Sequence, residues 1–184
     1  DGETDNISQI VSMGSIPWGI GVIPSTGKIY VFQYATGSVA VYDGFTESII
    51  TTKDIGASIQ RLAVNPETGY LYLANRTTGK VTVINSDTVI VGEVDVGSNP
   101  YAIAVNSATN LIYVARAGGK DVSVIDGATN SLVATVETDA VPEDLAVNEA
   151  TNRIYVIGNW SKIITVIDGS SHKVVDSIEL DLYP

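Results

Sequence analysis

Three features of this sequence predict an all-β fold, a β-propeller of four-stranded antiparallel blades: a period of about 42 residues, four strand-like stretches in each period, and no helical periodicity. The period is carried by Ile29-Tyr30-Val31, Leu71-Tyr72-Leu73, Ile112-Tyr113-Val114 and Ile154-Tyr155-Val156, whose tyrosines step by 42, 41 and 42 residues. A closing segment follows at fixed distance: Val41-Tyr42-Asp43-Gly44, Val83-Ile84-Asn85-Ser86, Val124-Ile125-Asp126-Gly127 and Val166-Ile167-Asp168-Gly169. A shorter loop after Asn85 absorbs the residue missing from the second unit. The units run 17–58, 59–99, 100–141 and 142–183, in one domain spanning 1–184.

Within a unit, the first strand starts at a proline phase (Pro17, Pro100, Pro142, with Pro184 where another unit would begin), and Pro24 and Pro66 follow that strand. Small residues at Gly21, Ala63, Ala104 and Ala146 lie beside Ile20, Leu62, Ile103 and Leu145, which suits the inner strand of a wedge buried on both faces. The turn to the second strand is Ser25-Thr26-Gly27, Glu67-Thr68-Gly69, Ala108-Thr109-Asn110 or Ala150-Thr151-Asn152, with Gly or Asn where a hairpin needs positive φ. The second strand holds the tyrosine. The third ends at Asp43, Asn85, Asp126 or Asp168, whose side-chain oxygens cap the next turn; one carboxylate per blade is too sparse for calcium. In the third unit the four strands are expected at 102–105, 111–115, 122–125 and 132–136. Glu93, Asp95, Glu137, Asp139, Glu179 and Asp181 lie on or beside the outer strands, a solvated face that discourages edge pairing. A solenoid of hairpins is the competing architecture.

Residues 1–16 match a unit's closing turn and fourth strand, so 7–13 and 174–180 are equivalent outer strands for one slot. This surplus N-terminal strand is an expected exchange or closure segment. Head-to-tail exchange gives a polymer, a fibre or a layer, unless rotation closes it into a ring. The alternative is that the four units are part of a longer array in one chain.

Composition narrows the function. A net charge of −11 and a pI near 4.3 repel nucleic acid. The absence of Cys excludes disulfides, thiolate catalysis and cysteine-held metal, and no apolar run reaches the ~18 residues of a membrane span.

The repeats quoted above resemble the YVTN family of β-propeller repeats, known largely from surface-layer and other exported proteins. The tetrad appears as Tyr-Val-Phe-Gln, Tyr-Leu-Ala-Asn, Tyr-Val-Ala-Arg and Tyr-Val-Ile-Gly, and the resemblance covers the whole chain. It implies an exported scaffold or binding module and transfers no catalytic residue, cofactor or metal ligand.

The inner-strand tips, Trp18, Arg61, Tyr101, Glu143 and Asp144, surround one mouth of the expected channel and form the candidate ligand site. Asn6, Asn75 and Asn159 begin N-glycosylation sequons. His172, the only histidine, lies in a Ser-Ser-His-Lys turn and is read as a solvated turn residue. The expected function is non-enzymatic: an extracellular or cell-surface structural protein, glycosylated and self-assembling into a filament or layer. The competing classes are an adhesin that uses Trp18, Tyr101 and Trp160, and a metal-dependent lactonase-type propeller hydrolase in which Arg61, Glu143 and Asp144 converge.

Overall fold

The computed structural model describes residues 7, 9–56 and 58–181 and contains four four-stranded antiparallel sheets, with no helix among these residues. Blade 1 comprises β1 (Pro17–Ile23), β2 (Lys28–Gln33), β3 (Ser38–Asp43) and β4 (Ser48–Asp54). Blade 2 comprises β5 (Ile59–Asn65), β6 (Tyr70–Asn75), β7 (Lys80–Ile84) and β8 (Ile90–Asp95). Blade 3 comprises β9 (Pro100–Asn106), β10 (Leu111–Arg116), β11 (Asp121–Asp126) and β12 (Ser131–Glu137). Blade 4 comprises β13 (Pro142–Asn148), β14 (Arg153–Gly158), β15 (Ile163–Asp168) and β16 (Lys173–Glu179). Strand order within each sheet follows the chain from inside to outside, as in a propeller.

One register recurs in all four sheets. Gly21, Ala63, Ala104 and Ala146 on the inner strands pair with Tyr30, Tyr72, Tyr113 and Tyr155 on the second strands. A small inner residue leaves room beside it, and the tyrosine faces the following blade. The first turns take up the expected left-handed conformation at Gly27, Gly69, Asn110 and Asn152, with φ of 66°, 73°, 56° and 49°.

Burial is organised between blades. One apolar cluster joins blades 1 and 2 around Tyr30, Leu71 and Ile84, a second joins blades 2 and 3 around Tyr72, Ile103 and Ile125, and a third joins blades 3 and 4 around Tyr113, Leu145 and Ile167. Inner strands pack in succession, β1 on β5, β5 on β9 and β9 on β13, whereas β13 does not pack along β1 in that way. The four blades therefore form an open run. The expectation that both faces of every inner strand are buried fails at its two ends: on blade 1, Ile20 is 68% and Val22 47% exposed, and on blade 4, Asp144, Ala146 and Asn148 are exposed.

Among the described residues, the expected surplus strand forms no ladder within the chain. The described part of 7–13, residues 7 and 9–13, runs without strand structure. The fourth-strand slot of blade 4 is filled by β16, so the segment has no ladder to join. It lies instead against blade 1, where the Gln33 amide donates to the Met13 carbonyl and the Tyr42 hydroxyl donates to Gln9 Oε1 at 3.0 Å.

Bulges interrupt the pairing at fixed places. Every inner strand slips by one residue near its start, leaving Trp18, Gln60, Tyr101 and Glu143 outside the regular ladder. Every outer strand slips at Ile50, Val91, Val133 or Val175. Such bulges twist an edge away from further pairing, although they also leave an apolar pair exposed on each outer strand, such as Ile49-Ile50 and Val174-Val175.

Candidate functional site

The bulges position the candidate mouth. An extra residue on one strand re-aims its side chain off the sheet, and three of the four bulged positions are the chemically distinctive Trp18, Tyr101 and Glu143. The Trp18 indole N–H donates to the Gln60 carbonyl across 3.1 Å, which ties the tip of blade 1 to that of blade 2. The Trp18 ring also tilts onto Tyr34, with centroids 5.4 Å apart. The Arg61 guanidinium sits 5.9 Å from the centre of the Tyr101 ring, a cation–π contact between blades 2 and 3. Tyr101 and Glu143 then line one cleft of about 190 Å³ with Arg76, Asn99, Pro142 and Asn159.

Of the expected residues, Arg61 and Tyr101 are thus in contact and Tyr101 and Glu143 share a cleft, whereas Trp18 is tied to Gln60. Asp144 is exposed and accepts the N–H of its neighbour Leu145 at 2.9 Å. Among the described residues, Arg61 forms no ion pair with Glu143 or Asp144, and no three His, Cys, Asp or Glu side chains are placed to hold a metal ion together.

Sequence reasoning missed one pair at this end of the molecule. Arg116 and Asp121 flank the tight turn between β10 and β11 and form a two-pronged ion pair through Nε and Nη2. Asp121 is buried, so the pair fixes the loop beside the Tyr101 cleft. The readable signal was an Arg and an Asp bracketing Gly118-Gly119.

The opposite end consists of capped turns. Asp43 Oδ1 accepts the N–H groups of Phe45 and Thr46 at 2.8 and 3.0 Å, Asn85 Oδ1 those of Asp87 and Val89, Asp126 Oδ1 that of Ala128, and Asp168 Oδ1 those of Ser170 and Ser171. Hydrogen bonds from Thr46 and Phe45 hold the Asp43 carboxyl below its ordinary pKa, and Ser171 does the same for Asp168. His172 occupies the positive-φ position of the last of these turns, and its N–H reaches the Asp168 carbonyl.

Polar contacts also cross between blades here. Asn65 donates to Asn110 at 2.8 Å and Asn106 donates to Asn152 at 2.9 Å. The Tyr30 hydroxyl donates to the Ser86 carbonyl at 3.1 Å. Of the sequons, Asn75 caps Thr77 and Thr78 with its own oxygen, Asn159 is exposed beside the Tyr101 cleft, and Asn6 lies outside the described residues.

No known family and no curated protein matches the sequence. Solved structures do share the fold. Hydrazine synthase of Kuenenia stuttgartiensis is similar with a TM-score of 0.80 at 21% identity, over 94% of this chain and 52% of that one. A functionally unknown protein from Desulfotomaculum acetoxidans aligns with a TM-score of 0.77 at 18% identity, over 91% and 57%. Dihydro-heme d1 dehydrogenase NirN, in complex with DHE, aligns with a TM-score of 0.79 at 17% identity, over 95% and 39%. The fold is a β-propeller fold. The chain spans about half the length of the first two structures and less of the third. One fold serves many chemistries, and these neighbours include enzymes as well as a protein without known function.

Proposed function

We propose that this chain is a non-enzymatic structural and interaction module of the YVTN-like, surface-layer type, displayed outside the cell and associating with further copies of itself. The observation that carries the reading is the pair of uncovered blade faces at the two ends of the run, which repeat the small and large apolar phases of the buried ones at Ala146 and at Ile20 and Val22, with Asp144 where blade 3 buries Ala102. The acidic surface keeps such a module soluble and away from nucleic acid. Immunogold labelling of intact cells tests the location: label at the surface is expected, and protein confined to the cytosol overturns it. The exposed sequon at Asn159 is the proposed glycan acceptor.

The Arg61–Tyr101 stack beside the Glu143 cleft favours a second reading, ligand binding at the mouth. A glycan and peptide array compared between wild type and a Trp18→Ala, Tyr101→Ala, Trp160→Ala variant tests it. Binding that disappears with the aromatics supports the site, and binding unchanged by all three removes it.

A further inference from the structure

We infer that the two end faces are halves of one interface, made between two copies of this chain: blade 4 of each copy docks on blade 1 of the other and closes a ring of eight blades. The inference rests on reading the chain as a self-associating module and names the surface it uses.

The molecule itself shows what covers such a face, because it makes the same contact three times. In each, a small residue of one inner strand meets large residues of the next: Gly21 lies against Leu62 and Val64, Ala63 packs in the cluster of Ile103, and Ala104 in that of Leu145. Blade 4 offers Ala146 at the small phase, and blade 1 offers Ile20 and Val22 at the large one, all exposed. The tyrosines agree. The Tyr72 hydroxyl lies 2.8 Å from where a Cβ on Gly127 would be, and the Tyr113 hydroxyl 2.9 Å from where one on Gly169 would be. Tyr155 is the next in the series, and blade 1 presents Gly44 at the matching phase.

The receiving face is an apolar groove of about 430 Å³ floored by Ile20, Ile29, Val31 and Tyr42 and walled by Val11 and Met13. Met13 corresponds in phase to Ile55 and Val96, which pack inside the first two internal interfaces, and Leu180 of the arriving blade holds the same phase, so the wall of Val11 and Met13 shifts to admit it. Gln9, held by Tyr42, gives way when a blade arrives. Edge addition is the poorer route, since every outer strand is bulged. Because each contact joins different surfaces, rotation has to close it.

Light scattering over a concentration series of the purified chain tests this. Wild type should reach twice the chain mass. Ile20→Arg and Ala146→Arg, both at exposed positions and checked for folding by circular dichroism, should each stay at the single mass. Their equimolar mixture should regain the double mass through its one intact interface. A single mass for wild type at every concentration overturns the inference and leaves the faces to further repeats in a longer polypeptide. Masses growing past double overturn the closed ring. Association that ignores both substitutions but vanishes on deletion of residues 1–12 overturns it in favour of strand exchange. Loss of surface display in cells leaves these masses unchanged, so the location and the interface fail separately.

Discussion

Tyr113 and Tyr155 occupy the same position in adjacent units, with the same neighbours in sequence and the same small partner across the ladder. Tyr113 is fully buried between blades 3 and 4, whereas Tyr155 is half-buried at the end of the run. The contrast shows where the stability of this fold resides. A blade on its own leaves its tyrosine face wet, and only the next blade removes that face from water, as expected of arrays in which each unit leans on its neighbour.

The largest effect that could break this contrast is truncation. Tyr72→Ala or Tyr113→Ala should cost about 3–5 kcal/mol in urea unfolding, the usual range for deleting a buried aromatic ring. Tyr155→Ala should cost distinctly less, and equal losses would mean that the interfaces are not where the energy lies. The next effect is alkaline unfolding. Burial pushes the Tyr72 and Tyr113 hydroxyls up to about 12 from an ordinary 10.0. A pKa raised in the folded state means that the fold holds protons the unfolded chain releases, so their contribution is complete below pH 10 and is lost as pH rises toward 12. Melting temperature against pH should fall across that window, and less steeply in the double variant Tyr72→Phe, Tyr113→Phe. The smallest effect sharpens the comparison at the polar end. Asn106→Ala loses the bond to Asn152 and should cost about 1–2 kcal/mol. Asn148→Ala, at the equivalent exposed position, loses only its turn contact to Thr151 and should stay within about 0.5 kcal/mol.

Much of this architecture was legible because it depends on local chemistry repeated four times. Positive-φ turns need Gly or Asn, and Gly27, Gly69, Asn110 and Asn152 are those residues. A tyrosine paired with a small residue marks the register, and Asp43, Asp126 and Asp168 cap the turns they were expected to cap. The bulges were not legible, since a one-residue slip at Trp18 or Tyr101 alters pairing without altering the apolar pattern. Residues 9–13 show a different limit. They carry the composition of an outer strand, but a strand needs a partner, and within this chain β16 already holds the place. Trp18, Tyr101 and Glu143 lie at the starts of their inner strands; that Trp18 reaches Gln60, Arg61 reaches Tyr101 and Tyr101 shares a cleft with Glu143 depends on the stacking of blades, which no single unit encodes.

The contacts between neighbouring turns carry a further lesson for anyone rearranging these units. Ile23 on blade 1 reaches Gly69, apolar against bare backbone, whereas Asn65 reaches Asn110 and Asn106 reaches Asn152, amide against amide. Nearly identical modules are therefore keyed to their successors. Shuffling them would set an amide against a glycine or a methyl against an amide, so the linear arrangement is itself inherited information, and a permuted protein would carry misfits that a count of repeats does not reveal.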